Sequence, residues 1–262
     1  MSTRVKMLSE FYKKSDEGTR LERSRHGQLE YFVTMEYIHW FAGKGSKVLE
    51  IGAGTGRYSV ALAREGMEVT SVELVESNLE ALRKNGEGLE NLKAFQGDAL
   101  DLSRFEDDTF DVTLVFGPMY HLYRKEDVDR AIDEAIRVTK RDGAILFAFL
   151  SVYGIMAANY LEGNWAAGEA ENFTKDYGFR HFEEQLFTGY DITEFEGLFE
   201  KKPVKYVTTA GVDWLLESVE SRPEFAFSDE DFESFKKWYL AFSDKRELLG
   251  DTSHLLYICR KA

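Results

Sequence analysis

A single cysteine, Cys259, occurs in the 262 residues, which excludes an internal disulfide and fits a reducing compartment. The five histidines show no spacing that would assemble a metal site, so no metal is expected. Proline is equally scarce. Three residues leave no Pro-rich linker, and neither a repeat nor a low-complexity stretch divides the chain. No apolar run reaches the roughly 18 residues of a membrane span, and the N-terminus "MSTRVKMLSEFYKKSDEG" lacks an apolar leader segment. The expectation is a cytoplasmic protein with no membrane partner. Basic residues are also in deficit. With 33 Lys and Arg against 47 Asp and Glu, the net charge is −14 and the pI about 4.9. Such a field repels polyanions, so no nucleic-acid partner is expected.

What remains is core-building material. Hydrophobic residues make up 44% of the chain and aromatics 14%, enough for one large domain. Residues 1–27 are polar and locally basic, with Arg20, Arg23 and Arg25 close together. "QLEYFVTMEYIHWFA" (28–42) reads as a helix stopped by Gly43 and Gly45. Strands and helices then alternate: "KVLEI", a helix over 57–64, "EVTSVE", "ESNLEALRKN", "NLKAFQ", "FDVTLVF", "KEDVDRAIDEAIRVTK" and "GAILFAFL". Continuous apolar runs suit parallel strands covered on both faces, and helix-sized crossovers imply a doubly wound α/β sheet. The rhythm breaks at Ser151. Residues 151–182 are rich in aromatics and glycine without a clear strand. A helix ("DITEFEGLFEKK"), a strand ("VKYVTTAG"), two helices ("DWLLESVE" and a second capped by Ser228) and a last strand ("HLLYICRK") follow.

Ligands of open α/β sheets bind outside the carboxyl ends of the strands. The first such end carries Glu50 and then "GAGTG", with Gly52, Gly54 and Gly56; the second carries Glu73, the third Gly97-Asp98 and the fourth "FGPMYHL". A dinucleotide site uses G-x-G-x-x-G. Here the spacing is G-x-G-x-G, and Arg57 stands where the third dinucleotide glycine belongs, which points to an adenosyl ligand without a pyrophosphate.

"VLEIGAGTGRYS" with Glu73, "GDAL", "FDVTLVFGPMYHL" and "VTKRDGAILFAFL" resembles the class I S-adenosylmethionine-dependent methyltransferases, of small-molecule type, over about residues 28–150. The resemblance implies a Rossmann-like, mostly parallel seven-stranded sheet and methylation with S-adenosyl-L-methionine as cofactor and S-adenosyl-L-homocysteine as product. It puts Glu50, Gly52, Ala53, Gly54, Thr55 and Gly56 against the methionine part. Glu73 and Leu74 belong to the ribose, Asp98 and Ala99 to the adenine edge, and Phe116 and Gly117 to the same cofactor site. A carboxylate can accept from both ribose hydroxyls. The Asp/Asn-Pro-Pro-Tyr/Phe pattern of amino-methylating nucleic-acid enzymes is absent, because Phe116-Gly117 precedes Pro118.

Tyr120 and His121 are the candidate catalytic residues, His121 as a general base. His26, Glu30 and Tyr31, with Tyr120, Tyr153, Tyr160 and Trp165, are the candidate acceptor contacts, the last three from an aromatic insertion. The expected organisation is an N-terminal helical cover (1–45), a cofactor-binding core (46–150), a substrate-side insertion or lid (151–190) and a segment completing the sheet (191–262), as a monomer or homodimer. The acceptor is expected to be a small metabolite with an O, N or S nucleophile. Three readings stay open: a protein or RNA methyltransferase, a non-catalytic cofactor-binding protein, and a nicotinamide oxidoreductase, which the glycine spacing disfavours.

Overall fold

A computed structural model describes residues 3–14, 17–182 and 185–262; residues 1–2 and 15–16 of the expected cover and 183–184 of the expected insertion lie outside the described residues. Two helices open the chain, α1 (Thr3–Tyr12) and α2 (Arg25–His39). The alternating region comprises β1 (Lys47–Ile51), α3 (Arg57–Arg64), β2 (Glu68–Glu73), α4 (Glu76–Asn85) and β3 (Leu92–Gln96). It continues through β4 (Phe110–Val115), α5 (Lys125–Val138) and β5 (Thr139–Ser151). Next come α6 (Val152–Tyr160), α7 (Trp165–Asn172), β6 (Gly189–Tyr190) and α8 (Ile192–Gly197). The chain ends with β7 (Val204–Gly211), α9 (Leu216–Val219), α10 (Asp229–Phe242), α11 (Arg246–Leu249) and β8 (His254–Lys261).

The sheet runs β3-β2-β1-β4-β5-β8-β7, with the two-residue β6 added beside β5 as an eighth strand. Pairs from β3 to β5 are parallel, and β8 is antiparallel to both β5 and β7. Successive residues on the central strands serve opposite faces. Val48, Leu114, Leu146 and Ile258 join the core beneath α2 and α3, while Leu49, Val115, Ile145 and Tyr257 join the core beneath α5 and α8. This two-sided burial is why those strands read as unbroken apolar runs. On α5, Val128, Ala131, Ile132, Ala135 and Ile136 recur at helical spacing and are buried. The Ser228 side chain accepts from the Asp231 amide at the start of α10.

Three expectations shift. The helix expected over 28–42 starts earlier, at Arg25, because Ser24 caps it. "DWLLESVE" supplies only the single turn of α9. The polar N-terminal stretch, included in the helical cover without bounds for a helix of its own, forms α1; Leu8 is its one buried apolar residue among those described, so its helical pattern is weak.

Ring packing ties β5 to α8: Phe149 and Phe195 stack with centroids 4.0 Å apart, both fully buried. Phe149→Ala is expected to lower unfolding stability by about 3–5 kcal/mol in urea titrations with an unchanged m-value. A loss below about 1 kcal/mol would show that the ring does not anchor α8.

Candidate active site

The carboxyl ends of β1, β2, β3 and β4 lie along one edge, and two clefts open there. Gly52, Gly54, Phe116 and Tyr120 line both, so the clefts meet at the turn after β1.

The first cleft runs from that turn toward β3. Glu73, at the end of β2, is fixed by two backbone donors: Gly54 N–H to Oε2 at 2.7 Å and Val75 N–H to Oε1 at 2.8 Å. Its carboxylate therefore stands at the strand end before any ligand enters. Leu74, Val75, Ala99 and Pro118 make the apolar walls, and Asp98 lies at the far end. Asp98 Oδ1 accepts from the Leu100 amide at 3.1 Å, and Oδ2 is ion-paired with Arg4 of α1.

α1 covers this cleft. Its Arg4, Leu8 and Tyr12 are lining residues. The Tyr12 hydroxyl sits 2.9 Å from His121 Nε2, and His121 Nδ1 faces the Leu186 carbonyl at 2.7 Å. A carbonyl only accepts, so Nδ1 carries the hydrogen and Nε2 accepts from Tyr12. Burial foremost, with the nearby Arg4 charge adding, lowers the His121 pKa to about 4; the Leu186 bond opposes this. The ring is thus neutral at working pH.

The second cleft lies on the other side of the glycine turn. Glu50 contributes a buried carboxyl bonded by Ser59 Oγ, and burial raises its pKa to about 7 despite that bond. Glu30 of α2 and Arg20 form a bidentate pair at 2.6 and 2.7 Å. Burial alone would raise the Glu30 pKa, but Arg20 and then His254 overcome it and hold it at about 2. Ala53, Thr55, Tyr58, Val212 and His254 complete the walls.

A methyltransferase-domain family profile matches residues 49–147, the span that carries both strand ends and the glycine turn. The demethylmenaquinone methyltransferase of Staphylococcus aureus (strain JH9) is 31% identical over 177 residues, covering 59% of this chain and 73% of that protein. The chain belongs to the class I S-adenosylmethionine-dependent methyltransferases. A Clavibacter sepedonicus protein of the same name is 36% identical over 108 residues, 41% of this chain and 42% of that one, less than half its length. Among solved structures, a Haemonchus contortus phosphoethanolamine N-methyltransferase 1 superposes with TM-score 0.62 at 16% identity, over 100% of this chain and 50% of that one. A Thermotoga maritima SAM-dependent methyltransferase, described as a possible histamine N-methyltransferase, gives 0.60 at 18% over 99% and 100%. At such identities these two show the fold.

The cofactor of this methyltransferase is S-adenosylmethionine, and the residues present fit it. A pinned carboxylate suits a pair of hydroxyls, and an apolar slot ending in Asp98 suits a purine with an exocyclic amine. Arg4, the basic residue of that cleft, is paired with Asp98, so no phosphate cradle is laid out.

Of the residues expected from sequence to hold the cofactor, Glu50, Ala53 and Thr55 line the second cleft, and Glu73, Leu74, Asp98, Ala99 and Gly117 the first. Gly56 lines neither; it caps α3 at φ 85°, and a Cβ there would sit 2.7 Å from Leu82 Cγ. Gly52 has a reason beyond any ligand, since a Cβ would lie 2.3 Å from the Phe116 carbonyl oxygen. Of the acceptor candidates, Glu30 and Tyr120 reach the clefts. His26 is instead bonded to Glu220 at 2.6 Å, and Tyr31 stacks on Tyr58 beneath Arg57. Tyr153 and Trp165 are about half exposed, and Tyr160 bonds Glu171. None of these three lines either cleft.

Sequence reasoning missed Arg4, Tyr12, Val212, Asp213 and His254. One signal existed for the last: an antiparallel strand begins where its parallel neighbours end, which puts His254 of β8 on the active edge. Asp213, Glu217 and His254 also offer ligand atoms within 4.8 Å of one another, a grouping that sequence spacing does not reveal.

Two outcomes are expected here. Gly52→Ala, at φ 79° and against a backbone oxygen, should cost on the order of 1–3 kcal/mol in thermal unfolding, whereas wild-type stability would remove the close approach. Histidine NMR should show His121 as the neutral Nδ1–H tautomer from pH 8 to 6, charging only toward pH 4; an imidazolium at pH 6.5 would contradict the buried geometry.

Proposed function

We propose that the protein transfers the methyl group of S-adenosylmethionine to a small-molecule acceptor seated in the second cleft. The observation that carries this reading is the meeting of the two clefts at Gly52, Gly54, Phe116 and Tyr120. The adenosyl group occupies the first cleft, with Glu73 on the ribose hydroxyls and Asp98 and Ala99 at the adenine, once Arg4 has yielded Asp98. The methionine portion crosses the glycine turn beside Glu50. The reacting methyl then faces the acceptor across Phe116 and Tyr120.

A sulfonium is already activated, so the protein's contribution is alignment of acceptor atom, methyl and leaving sulfur. His121 is a poor base in this arrangement, because both ring nitrogens are engaged and its pKa is low. It serves to seat Tyr12, and through it α1, over the adenosyl cleft. Two observations support a small-molecule acceptor: the second cleft is walled by α2, α3 and β8, and the chain is strongly acidic. The S. aureus relative's name designates a quinone-derived substrate, which makes reduced naphthoquinones the first acceptors to try.

S-adenosylhomocysteine release is the assay, with 1,4-naphthalenediol, histamine, denatured protein and bulk RNA offered in turn. Small acceptors alone should support turnover; turnover with RNA or protein alone would overturn the reading. Glu73→Ala should weaken S-adenosylmethionine and S-adenosylhomocysteine equally, by roughly 10- to 100-fold or more in calorimetry, since a single bond to a charged group is worth about that much. Unchanged affinity would remove Glu73 from the ribose.

A further inference from the structure

His254 opens β8 and pairs with Leu150 of β5, which puts it on the edge where both clefts open. Its Nδ1 lies 2.7 Å from Asp213 Oδ2. Asp213 is fully buried, and its Oδ1 accepts from the Thr252 hydroxyl at 2.5 Å and from the Ser253 and His254 amides at 3.1 Å each. Three donors on one oxygen hold the Asp213 carboxylate in place as an acceptor. The paired Nδ1 therefore carries the hydrogen, and the ring orientation is fixed. Nε2, on the opposite edge of the ring, has no hydrogen-bond partner among the described residues, and His254 lines the second cleft.

This is the layout of an imidazole oriented by a carboxylate at the wall of a cleft, with its second nitrogen left for a reactant. His121 differs on each point, since Tyr12 and Leu186 take both of its nitrogens. With Asp213 saturated by its own chain, a metal ion at Asp213, Glu217 and His254 would have to break the His254–Asp213 bond, so the grouping reads as a proton-handling pair.

We propose that His254, held by Asp213, is the base that takes the proton from the methyl acceptor, and that this acceptor is a phenol-type aromatic hydroxyl. The proposal rests on the small-molecule reading above and names its acceptor class. Beside the Arg20–Glu30 pair, the cleft carries an apolar and aromatic set, Tyr58, Phe116, Val212 and Leu256, which suits a planar ring. An amine acceptor would end as a methylated ammonium beside the imidazolium, two cations in one cleft, whereas a phenol ends as a neutral ether. The O–H proton passes to Nε2, and the oxygen lone pair forms the bond to the methyl carbon. The carbon–sulfur bond breaks with its electrons on sulfur, leaving the neutral thioether. The imidazolium returns its proton to water when product leaves.

The charged groups facing His254 are Asp213 and Glu217 from the β7–α9 segment and Glu30 from α2, itself paired with Arg20. Burial would lower the His254 pKa, but Glu30 and Asp213 overcome it and raise it to about 9, near the value of about 10 for a phenol. The active, neutral form therefore gains population as pH rises toward 9.

The test uses the full chain with S-adenosylmethionine and three probes: 1,4-naphthalenediol, histamine and pentafluorophenol, which is already ionised at pH 7. Wild-type kcat/KM for the diol should climb about tenfold per pH unit from 6.5 and level near 9. His254→Gln should fall about 100-fold or more in kcat on the diol at pH 8, with S-adenosylmethionine affinity and circular dichroism unchanged. Pentafluorophenol, having no proton to give, should lose less than tenfold in the same variant. An equal loss on both phenols would overturn the base assignment. Turnover of histamine but not of any phenol by wild type would overturn the acceptor class. Cofactor binding in calorimetry, run on the same samples, separates these outcomes from failure of the small-molecule reading. Should His254→Gln not fold, histidine NMR of the wild-type chain decides instead: an Nε2 titrating near 9 supports the pair, and one titrating at or below 6.5 overturns it.

Discussion

The carbonyl of Phe116 leaves no room for a side chain on Gly52, and the geometry of both clefts follows from that approach. Backbone bonds lock it: Gly52 N–H to the Val72 carbonyl at 2.8 Å and Phe116 N–H to the Ile51 carbonyl at 3.0 Å. The ends of β1, β2 and β4 are thereby drawn into one ridge. Glu73 then ties the ridge from below by bonding the Gly54 amide. The ridge lies between the two clefts and leaves them joined at Gly52, Gly54, Phe116 and Tyr120. Proximity is the chief service an already activated donor requires, and here it is a property of the backbone.

Around the ridge, buried charge is arranged so that each group has a defined state. Arg20 keeps Glu30 ionised in a desolvated site, and Glu50, without a cation, is pushed up to about 7. The two histidines diverge for the same reason. His121 is buried beside Arg4 and is driven toward the neutral form, while His254 is buried beside Glu30 and Asp213 and is driven toward the charged one. Pairs of titratable groups pushed apart in this way separate roles within a site: one ring seats a cover, the other handles a proton.

Much of the fold was legible in the sequence because burial on two faces leaves a simple mark. "FDVTLVF" and "GAILFAFL" could only be covered strands, and the amphipathic period of α5 and the Ser228 cap came through intact. The position of the first cleft was legible for a related reason: the carboxyl ends of parallel strands follow directly from the strand pattern. α1 was not. Its helix holds to the protein through Arg4–Asp98 and Tyr12–His121, contacts between residues 94 and 109 apart, and periodicity carries no trace of them. The aromatic insertion misled for the opposite reason. Its rings suggested a cavity, yet Tyr160 packs on Gly168 and Phe173 on Phe179, so the density serves the insertion itself. His254 escaped because only the parallel strands were read at their ends, and β8 runs the other way.

A crystal structure with S-adenosylhomocysteine bound tests the account most directly. The adenosine should lie in the first cleft with its ribose hydroxyls on Glu73. The homocysteine should cross the Gly52–Gly54 turn, with sulfur facing the second cleft between Phe116 and His254. A ligand confined to one cleft, or with sulfur directed toward α1 and His121, would contradict the division of the site along the Gly52–Phe116 ridge.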